Sequence, residues 1–185
     1  MDQHKLVKQC IKGNRQAQKA LYDAFASSML SVCYRYTKSW DDAEDVLQEG
    51  FVKVFRSLSQ FKFEGELGGW IRRIMVNTSI NFLKKNAKYQ QELSFTDEVL
   101  HPVSNENPEV HLNAKDLAAL VRQLPTGYQT IFNMYAVEGY SHQEIGQVLG
   151  INEGTSRSQY SRARNLLITW IKKNAEQDKT KSYVR

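Results

Sequence analysis

The chain has 185 residues, of which 41% are hydrophobic and 11% aromatic, so one domain or two small ones could form a packed core and disorder throughout is excluded. A net charge of +5 suits a nucleic-acid partner without establishing one. No run approaches the roughly 18 apolar residues of a membrane span, and the polar start lacks the apolar segment of a signal peptide. We therefore expect a soluble, cytoplasmic protein without membrane insertion.

Charge is distributed unevenly along the chain. Residues 1–90 contain 15 Lys and Arg against 9 Asp and Glu, and residues 114–185 contain 10 against 6. Between them, residues 91–113 contain no base and five acids: Glu92, Asp97, Glu98, Glu106 and Glu109. This pattern predicts two domains, at 1–90 and 113–175, joined by a flexible acidic linker at 91–112 and followed by a basic tail at 176–185.

The spacing of apolar residues and the scarcity of proline predict an all-α fold. The first 101 residues contain no proline, and no run alternates as a half-buried strand does. In the first domain we expect a helix at about 2–12, a second that is capped by Asn14 and continues helically over 27–38, a third from a cap at Asp41, and a fourth at about 67–87. In the second domain we expect a helix at about 113–124 and another that starts at Pro125, with Tyr135 and Val137 among its packing residues. The next two helices form the pair described below.

Residues 141–167 have the layout of a helix-turn-helix, whose second helix enters the DNA major groove. Ser141 and Glu144 form a capping box, Gly150 can end the first helix, and Asn152 can cap the second. Thr155 and Ser156 are suited to backbone phosphate. Basic and hydroxyl side chains suited to base edges or phosphates follow on the second helix: Arg157, Ser158, Ser161, Arg162 and Arg164. A solvated basic helix is the alternative.

Two polar faces lie on helices of the predicted first domain. The segment DDAEDVLQEGFVKVF places Asp42, Asp45 and Glu49 opposite an apolar stripe. These carboxylates could bind a basic partner or could form an ordinary solvated helix surface. A later helix repeats polar residues every three or four positions, at Arg73, Asn77, Asn81 and Lys84. Phe61, Phe63 and Trp70 lie nearby and could stack on unpaired bases, although Trp70 could equally belong to the core and the asparagines could be solvated.

Nothing in the sequence indicates catalysis or a bound group. No Walker loop, HExxH or GxSxG motif occurs, and the four histidines are scattered along the chain. Cys10 and Cys33 lack zinc spacing and are predicted to be reduced, partly buried thiols. We expect a protein that is not an enzyme and has no cofactor or metal.

Three segments in order resemble the sigma factors of bacterial RNA polymerase. DDAEDVLQEGFVKVF is similar to the polymerase-binding helix of region 2, and FKFEGELGGWIRRIMVNTSINFLKK to the segment that melts and reads the −10 element. LPTGYQTIFNMYAVEGYSHQEIGQVLGINEGTSRSQYSRAR is similar to region 4, which reads the −35 element. Because intervening regions are absent, the chain resembles the extracytoplasmic-function group of the sigma-70 superfamily, which implies a region 2 helical bundle and a region 4 helix-turn-helix.

The resemblance implies roles for particular residues and partners. Asp42, Asp45, Gln48 and Glu49 would bind core RNA polymerase. The 62–69 loop and the polar face would hold single-stranded DNA at −10, with contacts from Phe61, Arg73, Asn77, Asn81 and Lys84. Duplex DNA at −35 would be contacted by Thr155, Arg157, Ser158, Ser161, Arg162 and Arg164. The acidic linker would lie in the RNA exit path, and an anti-sigma factor is implied as a further partner.

Three departures from the family pattern, and two rival interpretations, remain open. Many sigma factors have aspartate at the position of Asn81 and arginine at that of Gln159, and the loop here is rich in glycine at Gly68 and Gly69.

The main alternative is a stand-alone helix-turn-helix repressor or activator, which would usually bind as a dimer. A protein whose basic face binds acidic partners is the second.

Overall fold

A computed structural model describes residues 3–86 and 113–182, with side chains up to residue 175. Within those ranges the chain forms α-helices and no strand, which confirms the predicted all-α class. The chain divides into two compact units, residues 1–86 and 87–185. The structure of the predicted linker at 91–112 lies outside the described residues.

The first unit is a bundle of four helices. Helices α2, α3 and α4 pack against one another, and α1 packs on α2. A short 3₁₀ turn, Leu58–Gln60, follows α3 and leads into the loop before α4. The helices are α1 Gln3–Ile11, α2 Arg15–Tyr34, α3 Trp40–Ser57 and α4 Leu67–Lys85. Asn14 caps α2, as predicted, and accepts a hydrogen bond from the Ala17 amide at 3.0 Å.

Two predicted boundaries in the first unit were wrong. Helix α2 continues past residue 27, as predicted, because Met29, Val32 and Cys33 extend its buried face, but it ends at Tyr34 and not near residue 38. Helix α3 is capped by Ser39 and not by Asp41: the Ser39 hydroxyl accepts a hydrogen bond from the Asp42 amide at 3.1 Å. The two aspartates 41 and 42 therefore lie in the first turn, where the helix dipole favours negative charge.

Both cysteines are buried in the first unit and neither forms a disulfide. Cys33 is fully enclosed, and this burial raises the pKa of its thiol to about 11, although hydrogen bonding from Ser79 acts in the opposite direction. Burial also raises the pKa of Cys10.

The second unit contains α5 to α8. Its helices are α5 Ala114–Gln123, α6 Thr126–Phe132, α7 His142–Leu149 and α8 Glu153–Ser182. Helix α8 packs against α6 and α7, and part of α5 joins it in a small core made of Leu120, Val121, Leu124, Ala163 and Leu167. The predicted boundary between residues 175 and 176 falls inside α8.

A π-helical segment, Asn133–Val137, extends α6. Tyr135 and Val137 were predicted to pack, and they are 39% and 43% exposed, although the Tyr135 ring contacts those of His142 and Tyr160. A π turn holds more residues than an α turn, so the pattern of positions that face the core is displaced along this segment. Asn133 and Met134 are the buried residues of the segment.

Helices α3 and α4 approach closely at Gly50. A Cβ atom added there would overlap the Sδ atom of Met75, whose side chain is fully buried. A side chain at Gly50 would therefore require the buried Met75 side chain to shift.

We predict that Gly50→Ala destabilises the first unit by about 1 kcal/mol. Overpacking costs about 1–3 kcal/mol, which outweighs the roughly 1 kcal/mol that alanine contributes to helix propensity. Gly69→Ala in α4 is the matched control: its Cβ would meet nothing within 4 Å, so it should stabilise by about 1 kcal/mol. Urea unfolding of the three proteins measures both changes, and a Gly50→Ala protein as stable as the control would contradict the predicted overlap.

Candidate nucleic-acid interface

The predicted helix-turn-helix is present as α7, a turn and α8. Ser141 and Glu144 form the reciprocal capping box: the Glu144 amide donates to the Ser141 hydroxyl at 3.2 Å, and the Ser141 amide donates to the Glu144 carboxylate at 2.8 Å. Gly150 ends α7 with a φ of 75°, a left-handed conformation that favours glycine. The Asn152 side chain then accepts a hydrogen bond from the Thr155 amide at 2.6 Å. All three local signals were readable in the sequence.

Gly146 is an additional residue that fixes the turn. A Cβ atom at this position would lie 2.7 Å from the backbone oxygen of Ile151, so a larger residue would push the turn away from α7. The sequence shows only a glycine inside a helical pattern, which does not reveal what approaches it.

The predicted DNA-contacting residues of α8 lie in its first three turns. Arg157, Ser161 and Arg164 are exposed, and Thr155, Ser158 and Arg162 are half-buried. The Arg157 guanidinium donates two hydrogen bonds to the Glu153 carboxylate one turn earlier. The Ser158 hydroxyl donates to the Thr155 carbonyl at 3.0 Å. The arrangement presents guanidinium and hydroxyl groups together, which suits base edges and phosphates.

Two residues of α8, Ser156 and Gln159, face inward and are not part of that surface. Ser156, expected near phosphate, is fully buried, and its hydroxyl lies 2.9 Å from Nδ1 of His142. Gln159 is 1% exposed. Gln159 is therefore not part of the face that α8 presents to solvent.

His142 joins α7 to α8 and was not recognised as structural from the sequence. Its ring is 7% exposed and stacks on Tyr135 with centroids 4.2 Å apart, while Tyr160 lies against both rings. Burial lowers the pKa of the His142 imidazole, and the positive charge of Arg157 lowers it further, while Glu153 acts in the opposite direction. Folding of the motif thus favours the neutral form of the His142 imidazole.

In the first unit, α4 presents the predicted polar face. Arg73, Asn77, Asn81 and Lys84 are all exposed, at successive spacings of four, four and three residues. On the opposite side of α4, Ile71, Met75 and Leu83 are fully buried. The four polar side chains therefore share one solvent-facing stripe of about three turns.

A pocket of about 450 Å³ lies beside that stripe. It is formed by the loop before α4 and the first turns of α4, and Arg73 belongs to both the pocket and the stripe. Its lining is Gln60, Phe61, Lys62, Glu64, Gly65, Glu66, Gly69, Trp70 and Arg73. The ring of Phe61 is 8% exposed and packs on Trp70 with centroids 5.6 Å apart, so Phe61 acts as part of the pocket wall. Trp70 is half-buried.

The acidic face of α3 is exposed, as the sequence predicts. Asp45, Gln48 and Glu49 are exposed and Asp42 is half-buried, while Glu49 pairs with Lys53 of the same helix at 2.6 Å. Val52, one turn after Gln48, is 47% exposed. The face therefore combines exposed carboxylates with one exposed apolar side chain.

Among residues 3–86 and 113–182 no group of three or more His, Cys, Asp or Glu side chains is arranged to hold a metal ion. None of the helices in those ranges is both long enough and apolar enough to cross a membrane.

Comparison with known families matches both units in order. Residues 21–89 match Sigma-70 region 2, and residues 114–167 match Sigma-70, region 4. The chain is 30% identical over 156 residues to the ECF RNA polymerase sigma factor SigE of Mycolicibacterium smegmatis, covering 82% of this chain and 60% of that relative. It is 27% identical to the ECF RNA polymerase sigma-E factor of Haemophilus influenzae, covering 88% of this chain and 91% of the relative.

A solved structure has the same fold. It is the sigma factor RpoE in complex with the anti-sigma factor NepR from Bartonella quintana, with a TM-score of 0.50 and 22% identity. The match covers 80% of this chain and 92% of that one.

We predict that the helix-turn-helix loses stability in mild acid. Because folding lowers the pKa of His142, the unfolded chain binds the proton more readily, and the free energy of unfolding should fall as the pH drops below about 6.5. The loss should level off once the pH is below the folded-state pKa. Amide hydrogen exchange in α7 and α8 at pH 7.5 and 5.5 measures it.

His142→Phe is the control for this pH dependence, because it keeps an aromatic ring against Tyr135 and removes the titrating group. Its exchange rates, corrected for intrinsic pH effects, should show a smaller difference between the two pH values. An equal difference in the two proteins would assign the acid sensitivity to another group.

Proposed function

We propose that this chain, which belongs to the extracytoplasmic-function group of the sigma-70 family, is a sigma subunit that binds core RNA polymerase, recognises −10 and −35 promoter elements and promotes transcription initiation. The observation that carries the proposal is the order of the region 2 and region 4 matches along one chain. Each match includes an exposed polar helix face. The activity proposed is recognition and strand opening in the cytoplasm, without catalysis by this chain and without a cofactor.

Recognition at −35 is assigned to the exposed face of α8. Arg157 can exchange its contact with Glu153 for a guanine edge or a phosphate, since an exposed pair of this kind contributes only about 0–1 kcal/mol. Ser158, Ser161 and Arg162 would contact bases, and Thr155 and Arg164 would contact phosphate. Capping at Asn152 holds the start of α8 in place for these contacts.

Recognition at −10 is assigned to the α4 stripe and the adjacent pocket. An unpaired base needs a concave site with an aromatic wall and nearby hydrogen-bonding groups. The pocket has Phe61 and Trp70 in its lining, and Asn77 lies one turn along α4 from Arg73. Asn77 and Asn81 would bond to a base taken out of the duplex, with Arg73 and Lys84 near the DNA backbone.

Binding of core polymerase is assigned to α3. Asp42, Asp45, Gln48 and Glu49 would meet a basic surface of the polymerase, and Val52 adds apolar contact area. An anti-sigma factor that competes for these faces is proposed as a further partner, on the precedent of the solved sigma factor in complex with one. A stand-alone repressor or activator would leave the α3 face and the pocket beside α4 without a role.

Charge reversal on α3 tests the proposal. We expect Asp45→Arg/Glu49→Arg to weaken binding to core RNA polymerase by about 100-fold, because two carboxylates that meet a basic surface become like charges. Binding of the purified full-length chain to bacterial core enzyme, followed by fluorescence anisotropy, measures the change. The intact chain failing to bind core enzyme would contradict the proposed function.

Asp23→Arg/Asp116→Arg is the matched control, with the same change of charge at exposed positions on α2 and α5. It should bind core enzyme as the unaltered chain does. Equal loss in both variants would show that net charge, and not the α3 face, governs binding.

Asn77→Ala should weaken strand opening more than duplex binding. Loss of hydrogen bonds to an unpaired base costs about 1–3 kcal/mol, and these bonds exist only after the strands separate. Permanganate footprinting of the −10 region measures opening, and a −35 duplex probe measures duplex binding. Asn174→Ala, an exposed asparagine late in α8, is the control, and an unchanged footprint for Asn77→Ala would remove Asn77 from the −10 site.

A further inference from the structure

Helix α1 carries a basic concave surface that none of the roles above uses. It has a volume of about 360 Å³ and is lined by His4, Lys5, Lys8, Gln9 and Lys12. The three lysines are exposed and lie three and four residues apart, so their ammonium groups follow one face of the helix. Residues 3–12 contain no aspartate or glutamate. We call Lys5, Lys8 and Lys12 the α1 lysines.

This surface adjoins the pocket beside α4. His4, part of the α1 surface, stacks on Phe63 with ring centroids 4.1 Å apart and planes 10° from parallel. Phe63 packs in turn on Phe61, a lining residue of the 450 Å³ pocket, at 4.9 Å. Two aromatic contacts therefore lead from the α1 surface to the wall of the pocket.

The loop conformation depends on this connection. Phe63 has a φ of 59°, the left-handed region that a residue other than glycine occupies at a cost of about 1–2 kcal/mol. Its ring is held between His4 and Phe61. Helix α1 thus contributes to the shape of the loop that lines the pocket.

Charge differs sharply between the two concave surfaces. The pocket contains two cations, Lys62 and Arg73, and two carboxylates, Glu64 and Glu66, which balance. A strand that inserts a base there also carries a phosphate charge at every nucleotide, and the pocket has no excess positive charge to neutralise it. The α1 surface supplies three cations on the helix whose His4 stacks on Phe63 of the same loop.

We propose that the α1 lysines bind the phosphate backbone of the single strand whose base enters the pocket beside α4. The assignment rests on the proposed function for the pocket. A groove that follows the backbone with positive charge, beside aromatic rings that meet bases, is the general arrangement of single-strand binding. Here the ammonium groups bind without regard to sequence, while the pocket and the α4 stripe select the base.

The test is the salt dependence of single-strand binding. Each phosphate neutralised on a single strand contributes about −0.7 to the slope of log affinity against log salt. Lys5→Gln/Lys8→Gln/Lys12→Gln in the full-length chain should therefore make the slope less steep by about 2 with a fluorescent oligodeoxynucleotide. Over a fourfold rise in salt the variant should lose about 16-fold less affinity than the unaltered chain.

Lys19→Gln/Lys115→Gln/Lys173→Gln is the matched control, since it removes the same charge from exposed positions on α2, α5 and α8. Its slope should equal that of the unaltered chain. An α1 variant with the unaltered slope, a control with an equal change, or no oligonucleotide binding by the unaltered chain would each overturn the inference.

Core polymerase binding of the same proteins separates this inference from the proposed function. The α1 variant should bind core enzyme normally. If it loses core binding and keeps the unaltered salt slope, the α1 lysines contact an acidic protein surface, and the inference is wrong while the sigma assignment stands. If the unaltered chain binds the oligonucleotide but not core enzyme, the proposed function fails, and the salt slopes still decide the role of the lysines.

Discussion

Close packing at two glycines leaves little room on the inward sides of α3 and α7. Gly50 lets α3 lie against the fully buried Met75 of α4, and Gly146 lets the turn before α8 return to the side of α7. In each pair the inward side is fixed by packing at a density that tolerates little added volume. The outward sides, the acidic face of α3 and the basic face of α8, are consequently presented in fixed orientations within their own units.

Several charged groups on these faces already have partners on their own helix. Arg157 contacts Glu153, and Glu49 contacts Lys53, each across one helical turn. Such exposed pairs are weak because water screens them, so a partner can replace them at small cost. The ion pairs also restrain these long side chains before a partner binds, so the side chains lose less rotamer freedom on binding. Under the proposed function, recognition on α3 and α8 is then largely an exchange of ionic partners.

Features determined by neighbours in sequence were predictable, and features determined by distant contacts were not. The capping box at Ser141, the end of α7 at Gly150 and the polar stripe of α4 followed from local spacing alone. The cap of α3 was placed two residues late because serine and aspartate both favour the cap position, and local spacing does not choose between Ser39 and Asp41. Two features depend on how α7 packs on α8: the burial of Gln159 and the contact of His142 with Ser156. The spacing of residues in the sequence does not reveal that packing. The exposure of Tyr135 required the π segment.

The burial of Cys33 has a consequence for redox chemistry. With a thiol pKa of about 11, only about one molecule in ten thousand carries the reactive thiolate at pH 7. Cys10, the only other cysteine in the chain, is also buried with a raised pKa. Both thiols of the folded protein are therefore poorly reactive towards peroxide. A cell that coupled this protein to oxidative stress would have to place the sensing thiol on a different molecule.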